Sequence, residues 1–217
     1  MIFSTRRRRS LCSLAIASLI GAASMAPGQA AFAVETLGQP GAVVNSLDQS
    51  LIDVMQHAKQ LGYGGRYAKL EPVLHQAFDI RYMTQLAVGP GWSTLNQDQQ
   101  ERLSDAFGKF ITATYARRFD GYSGERFESL GERPIGQATM VQTRLVKSNG
   151  EAIALNYVAR QNGAGWQVVD IYLSGSISEL AQRRSEFSAV FKRTGYDGLL
   201  ATLQQKAAQA ANEAHLS

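Results

Sequence analysis

The chain has 217 residues, a formal net charge of +4 and a single cysteine. Four of its 22 basic residues and that cysteine lie in the first 33 residues, where no acidic residue occurs, so the rest of the chain has 18 basic and 18 acidic side chains. A neutral chain without cysteine excludes disulfides and thiolate zinc sites and gives no reason to expect nucleic acid as a partner. Its length suits one domain held together by core burial.

The N-terminus has the order of features that marks a secretory signal peptide. Four arginines at 6–9 precede a moderately apolar run over 11–26, and small residues follow up to Ala31-Phe32-Ala33. Serines and a glycine interrupt the run, which is shorter than the roughly 20 residues that span a bilayer, so a permanent anchor is the weaker interpretation. We expect cleavage after Ala33, loss of Cys12 with the signal peptide, and a periplasmic protein.

The next part of the chain predicts helices. Residues 34–41 contain Gly38, Pro40 and Gly41 and are predicted to form a flexible arm. Apolar residues spaced by three and four then predict a helix from 43 to about 62. A second helical stretch covers 66–77, and we expect Pro72 to divide it into two short pieces, since proline removes a helical hydrogen bond.

Two further helices have recognisable start signals. Asp79 suits the N-cap of a short helix that the Gly89-Pro90-Gly91 sequence ends. The longest helix is expected to begin after Asn96, with Gln99 completing a capping box, and to run to about Phe119. At ~1.5 Å per residue this helix would be about 36 Å long, enough to cross a small sheet.

After residue 121 the hydrophobic period changes to two, which is typical of strands. Segment 126–133 is a weak first strand, and stronger ones cover 139–147, 151–160 and 166–173. Asn149-Gly150 is a hairpin signal between the second and third segments, so we predict an antiparallel meander. Val169, Ile171 and Leu173 are expected to share one face of the last strand. Because its other face is also largely apolar, both faces of the sheet are expected to be covered.

The chain closes with two predicted helices, over 177–191 and 196–203. We expect a single domain over 42–205 and a polar, alanine-rich tail over 206–217 that frays. Several helices with an antiparallel sheet predict the α+β fold class.

Sequence motifs give little support for catalysis or metal binding. His57, His75 and His215 lack the spacing of metal ligands, and Gly121-Tyr122-Ser123-Gly124 has the wrong spacing for a nucleophile elbow. A phosphate-binding loop and a dinucleotide fingerprint are absent from the sequence. We therefore expect no cofactor, no metal and no catalytic residues.

Three charged features have two interpretations each. Asp170, on a largely apolar strand face, suits a structural carboxylate bonded to a neighbouring loop, with an acid-base role as the alternative. Arg117 and Arg118 suit the dipole of a helix C-terminus, and Arg183 and Arg184 suit a helix face in water. The alternative for both arginine pairs is contact with lipid phosphates at a membrane surface.

Two ordered sets of residues resemble the MlaC family of periplasmic lipid-binding proteins, also called toluene-tolerance auxiliary components. The first set runs from Phe78 to the long helix and the second from Tyr157 to Leu199, so the resemblance covers nearly the whole chain after the signal peptide. The residues that carry it are Phe78-Asp79-Ile80-Arg81-Tyr82-Met83, Val88-Gly89, Trp92, Gln99, Phe107, Phe110, Tyr115, Tyr157, Trp166-Gln167-Val168-Val169-Asp170-Ile171, Gly175, Arg184, Phe187 and Gly195-Tyr196-Asp197-Gly198-Leu199.

Within that family, segments 61–70 and 119–127 look most like the HpnM branch, which is associated with hopanoid biosynthesis. One departure from the family pattern is Gly175-Ser176-Ile177-Ser178, where the family has glycine, an apolar residue and serine. The resemblance implies a twisted antiparallel sheet packed by several helices around an apolar cavity, related to the nuclear-transport-factor-like (NTF2-like) group. It also implies a lipid carrier, not an enzyme, with a hopanoid or phospholipid ligand, an inner-membrane ABC transporter partner and an outer-membrane lipid complex.

We expect the pocket between the long helix, the sheet and the helix after Gly175. Candidate lipid-binding residues, chosen by the face on which each should lie, are Phe107, Phe110, Ile111, Tyr115, Val141, Leu145, Ile153, Leu155, Tyr157, Val168 and Ile177. Two alternatives to a carrier remain open. One is an NTF2-like enzyme for a hydrophobic substrate that uses Asp170 or Tyr157, and the other is a ligand-free adaptor of a membrane transporter.

The signal-peptide hypothesis predicts the mass of the exported protein. After export, intact-mass spectrometry should give a chain that begins at Val34, because Ala31-Phe32-Ala33 has the small residues that signal peptidase accepts. A mature protein that retains Cys12 with an attached acyl chain would contradict this prediction.

Overall fold

A computed structural model describes residues 39–214 of the chain. The predicted signal peptide, Cys12, residues 34–38 of the predicted arm and His215 lie outside these residues, whereas Pro40 and Gly41 of the arm begin the first helix. The elements, in chain order, are α1 (Pro40–Gln56), α2 (Ala58–Ala77), α3 (Ile80–Val88), a 3-10 helix (Gly89–Thr94), α4 (Gln97–Arg118), β1 (Arg126–Ile135), β2 (Ala138–Val146), β3 (Ala152–Asn162), β4 (Gly165–Leu173), β5 (Ile177–Ser178) and α5 (Glu179–Ala214). No helix within 39–214 combines the length and hydropathy that a membrane span requires.

Side-chain caps fix where α3 and α4 begin. The Asp79 carboxylate accepts a hydrogen bond from the Tyr82 N–H at 3.0 Å. At α4 the Asn96 side chain accepts from the Gln99 N–H at 2.9 Å, while the Gln99 side chain accepts from the Asn96 N–H at 3.1 Å. This reciprocal pair satisfies two donors that the first turn leaves without a helical partner. Both predicted N-caps are confirmed.

The first helical region breaks at two positions, and the second of them, Gly62, matches the predicted end of the first helix. The first predicted helix ends early, because α1 stops before His57, and α2 then continues through Pro72. Pro72 is tolerated since it and Ala68 are exposed, so water can reach the carbonyl that loses its partner. The kink in α2 lies at Gly62, whose φ of 58° favours glycine. The predicted division at Pro72 is therefore wrong.

The two predicted C-terminal helices form one long element, α5, with a kink at Gly195, where φ is 67°. Its second half is helical to Ala214, so the predicted tail from residue 206 belongs to α5 as far as the described residues extend. Ala210 is buried, and the Glu213 carboxylate lies 3.2 Å from the Arg117 guanidinium on α4. Packing against α4 therefore extends this helix.

Four antiparallel pairings give the sheet the order β1-β2-β3-β4-β5. The predicted hairpin at Asn149-Gly150 connects β2 to β3, where the Lys147 N–H donates to the Glu151 carbonyl at 2.8 Å. Adjacent strands pair Val141 with Tyr157, and Tyr157 with Ile171. The fold is the predicted α+β class, with helices mainly on one face of an antiparallel sheet.

A β-bulge in β4 changes which side chains face the helices. Val168 pairs with Ala159 and Asp170 pairs with Val158, so Val169 is the extra residue. Val168 and Ile171 consequently both pack with the helix-side core, and Val169 lies in a small cluster on the opposite face. The predicted shared face of Val169, Ile171 and Leu173 is wrong, because a bulge breaks the period of two.

The main hydrophobic core lies between the sheet and the helices, with α4 packed against α2 and α5. The ring of Phe187 on α5 meets those of Phe107 and Phe110 edge-on, at centroid distances of 6.1 and 5.9 Å. The buried Arg66 guanidinium on α2 donates to the carbonyl of Ala116, near the end of α4, at 2.8 Å. These contacts hold α4 between α2 and α5.

Candidate functional site

An apolar cavity of about 120 Å³ lies between α4, strands β3 and β4, and the first turns of α5. Aliphatic and aromatic side chains from helices and strands form most of its wall: Leu51, Phe78, Met83, Phe107, Phe110, Ile111, Tyr115, Phe119, Leu155, Tyr157, Ile171, Leu173 and Leu180. Its remaining lining side chains carry polar or charged groups: Thr114, Arg118, Asp170, Glu179 and Arg183. The cavity is therefore a hydrocarbon-like chamber with charge at part of its boundary.

The structure brings six of the candidate residues together around this cavity. They come from α4 and β3, the two elements whose faces the sequence pattern defines best: Phe107, Phe110, Ile111, Tyr115, Leu155 and Tyr157. On α4, Phe110 and Ile111 follow Phe107 by three and four positions and Tyr115 follows Ile111 by four, so the four residues share a helix face. On β3 the two residues are separated by two and so share a strand face.

Five candidates lie elsewhere. Val141 and Val168 are fully buried in the adjoining core and do not reach the cavity wall. Leu145 and Ile153 pair with each other near the β2–β3 hairpin, away from the lining residues. Ile177 lies on β5 with 46% of its surface exposed, and Leu180 occupies the cavity side instead. The expected position of Ile177 is thus corrected, because the chain turns between the strand and the helix.

Several residues that line the cavity were not predicted to do so from the sequence. Leu51 and Met83 lie within predicted helices, but the spacing of apolar residues does not tell which helix face reaches a cavity. Phe119 lies just beyond the end of α4, and its ring stacks on that of Tyr115 at a centroid distance of 5.4 Å. Its place in the segment that resembles the HpnM branch was the one available signal.

A buried polar pair lies beside the cavity wall. The Tyr157 hydroxyl donates a hydrogen bond to the Asp48 carboxylate on α1 at 2.8 Å. Burial raises the pKa of Asp48 to about 7, and the hydrogen bond from Tyr157 lowers it less. Burial also raises the pKa of Tyr157 and that of Tyr115 well above their ordinary value. Both tyrosines therefore stay neutral at physiological pH.

The carboxylate of Asp170 joins the end of the sheet to α5. It accepts hydrogen bonds from the Ile171 N–H at 2.7 Å, the Leu180 N–H at 3.0 Å and the Ser178 hydroxyl at 2.6 Å. Both carboxylate oxygens are thereby occupied. Of the two interpretations of Asp170, this geometry matches the structural carboxylate bonded to a neighbouring loop.

Two arginines lie at the part of the cavity wall that is polar. Arg118 is the last residue of α4, and the Arg183 guanidinium lies 5.0 Å from the centroid of the Phe110 ring. Such stacking covers an apolar ring while keeping the cation partly in water. Within residues 39–214, no group of three His, Cys, Asp or Glu side chains is arranged to hold a metal ion.

Comparison with known proteins agrees with this architecture. The family model of the MlaC protein matches residues 45–205. The chain belongs to the MlaC family. Among its relatives is the intermembrane phospholipid transport system binding protein MlaC of Haemophilus influenzae, which is 24% identical over 136 residues. That alignment covers 60% of this chain and 63% of the relative, so the chain spans less than two thirds of the relative's length.

A solved structure gives a wider match than the Haemophilus relative. It is a phospholipid-binding protein from Ralstonia solanacearum in complex with a phospholipid, with a TM-score of 0.67 and 26% identity. The match covers 78% of this chain and 97% of the Ralstonia chain. The chain therefore shares the fold of nearly the whole Ralstonia protein.

The buried Asp48 predicts an unusual pH dependence of stability. Because its pKa is raised on folding, the folded state binds the proton more tightly than the unfolded state. Asp48 should therefore lower the free energy of unfolding as pH rises from about 4 to about 7, by up to about 4 kcal/mol at ~1.36 kcal/mol per pKa unit.

Asp48→Asn keeps an oxygen that can accept from Tyr157 and removes the ionisation. Urea unfolding at a series of pH values should show that the variant becomes more stable than the original protein above pH 7. Asp53→Asn, on the exposed side of the same helix, is the control, because Lys69 lowers the pKa of Asp53. Equal pH slopes for Asp48→Asn and the original protein would contradict the prediction.

Proposed function

We propose that the protein is a periplasmic lipid carrier that binds a phospholipid in the apolar cavity and moves it between the inner and outer membranes. The observation that supports this most is an apolar cavity with a charged boundary in a chain of the MlaC family. The Ralstonia protein, 26% identical, is described as phospholipid-binding and was solved with a phospholipid.

Removing acyl chains from water is the main task of such a carrier. Burial of ~10 to 15 methylenes at ~0.8 kcal/mol each contributes on the order of 10 kcal/mol before ordering costs. A cavity of about 120 Å³ is smaller than the roughly 150 Å³ that accommodates one benzene molecule. Binding of a full acyl chain therefore requires the lining side chains to rotate outward.

The polar groups of the site favour a carrier over an enzyme. Each oxygen of Asp170 already accepts hydrogen bonds from its own chain, and the raised pKa of Tyr157 makes it a poor proton donor or acceptor. The apolar cavity likewise favours a ligand-binding protein over a ligand-free adaptor. An inner-membrane lipid transporter and an outer-membrane lipid complex are the proposed partners, and the transporter would supply any energy.

A hopanoid is a second candidate ligand. The segment that resembles the HpnM branch begins with Phe119, and its ring and that of Tyr115 together line the cavity. A rigid polycyclic body loses less conformational entropy on binding than two flexible acyl chains, and flat aromatic rings offer it extended contact.

Leu155 and Ile177 provide a matched test of the cavity. Leu155 on β3 pairs with Leu173 on β4, and both side chains line the cavity. Leu155→Glu should abolish lipid copurification, because an unpaired carboxylate in an apolar cavity costs several kcal/mol. Organic extraction followed by mass spectrometry measures the lipid that remains bound.

Ile177→Glu adds the same charge at an exposed position of β5 and should keep its lipid. Circular dichroism establishes that both variants fold. If the Leu155→Glu protein folds and still carries stoichiometric lipid, this cavity is not the binding site.

Competition distinguishes the two ligand classes. A hopanoid and a diacyl phospholipid, offered together to delipidated protein, should displace one another because both need the same cavity. Mass spectrometry of the bound fraction over a range of mixing ratios measures this. If the protein retains only the phospholipid, the hopanoid is not a ligand, and the proposal of a lipid carrier is unaffected.

A further inference from the structure

A polar pocket of about 180 Å³ adjoins the apolar cavity. The two share Phe110, Thr114, Arg118 and Arg183 as lining residues, so one wall separates a hydrocarbon-like space from a charged one. An amphiphile has the same change of polarity where its apolar tails meet its polar headgroup.

Cations from three helical segments meet in this second pocket, which we call the basic pocket. Arg117 and Arg118 come from the last turn of α4, Arg183 from the first half of α5, and Lys206 from its second half. The kink at Gly195 separates the last two. The convergence is thus a product of tertiary packing and not of one cationic helix face.

Carboxylates compensate this charge only in part. Within residues 39–214, Arg118 forms no ion pair, and each of the other three cations is paired with at least one carboxylate, of which Glu213 lines the pocket. The partners are Glu213 for Arg117 at 3.2 Å, Glu186 for Lys206 at 2.6 Å, and Glu179 and Glu186 for Arg183 at 3.4 and 3.7 Å. The contacts of Arg183 are long, so a better acceptor can replace them.

A buried donor in the basic pocket lacks an acceptor. Among the described residues, the Arg117 Nε is the buried side-chain nitrogen or oxygen without a hydrogen-bond partner. Unsatisfied buried polar groups are uncommon in native proteins. Arginine forks match phosphate oxygens in geometry as well as charge, so Arg118, which lines the pocket and has no carboxylate partner within residues 39–214, suits a phosphate as its acceptor.

We propose that the basic pocket binds the phosphate of a lipid headgroup while the acyl chains occupy the adjoining cavity, with Arg118 and Arg183 at the junction between them. This inference rests on the proposed lipid carriage. It makes the protein selective for phosphate-bearing lipids over neutral lipids with the same tails.

The test compares two lipids that differ in the phosphate-containing headgroup. Phosphatidylglycerol and diacylglycerol with identical acyl chains each displace a fluorescent lipid from delipidated protein. The original protein should prefer phosphatidylglycerol by on the order of tenfold, the effect of one charge-assisted hydrogen bond. In Arg118→Gln and Arg183→Gln the ratio of the two affinities should fall toward one. Arg183→Lys should give a ratio between those of the original protein and Arg183→Gln, because lysine keeps the charge and loses the planar arrangement of donors.

Arg102→Gln is the matched control, since Arg102 lies on the same helix with 64% of its side chain exposed and pairs with Asp98. It should keep the full preference. Equal affinities of the original protein for both lipids, or a preference that survives both glutamine variants, would overturn the headgroup site while lipid carriage stands. Failure to bind either lipid would overturn carriage and this inference together. Inorganic phosphate alone should bind far more weakly than phosphatidylglycerol, and equal binding would overturn the link to a lipid.

Discussion

Three hydrogen bonds converge on the carboxylate of Asp170, and one wall of the cavity depends on them. They connect β4 to the first turn of α5, where the Leu180 N–H is one of the donors that a helix start leaves without an internal partner. With that turn fixed, Leu180 and Arg183 lie against the cavity and Phe187 packs on α4. A buried apolar space next to a turn is maintained because the polar groups of the turn are satisfied locally.

The polar groups around the cavity are arranged in two ways. On the inner side, Tyr157 and Asp48 satisfy each other and are neutral below about pH 7, so the cavity wall carries little charge. At the boundary, Arg118 and Arg183 keep their cations near water while their stems cover apolar surface. Such an arrangement suits an amphiphilic ligand, because tails meet neutral groups and a charged headgroup meets cations.

The amino-acid sequence by itself determined the parts of this protein that depend on neighbours along the chain. The N-caps at Asp79 and Asn96, the hairpin at Asn149-Gly150 and the change of hydrophobic period are all local, and each appears in the structure. The regular spacing on α4 and β3 likewise identified six of the lining residues. The ordered residues that resemble the MlaC family carried information that no periodicity contains, and the family match covers 45–205.

Only the tertiary structure decided the features that depend on distant contacts. The bulge at Val169 placed Val168, and not Val169, on the same face of β4 as Ile171, since a single extra residue shifts the alternation of the strand on one side of it. Packing on α4 kept the helix intact to Ala214, and the turn before α5 placed Leu180 at the cavity in place of Ile177. The basic pocket joins residues up to 103 positions apart, from Phe110 to Glu213, and a contact between residues so distant along the chain cannot be predicted from sequence spacing.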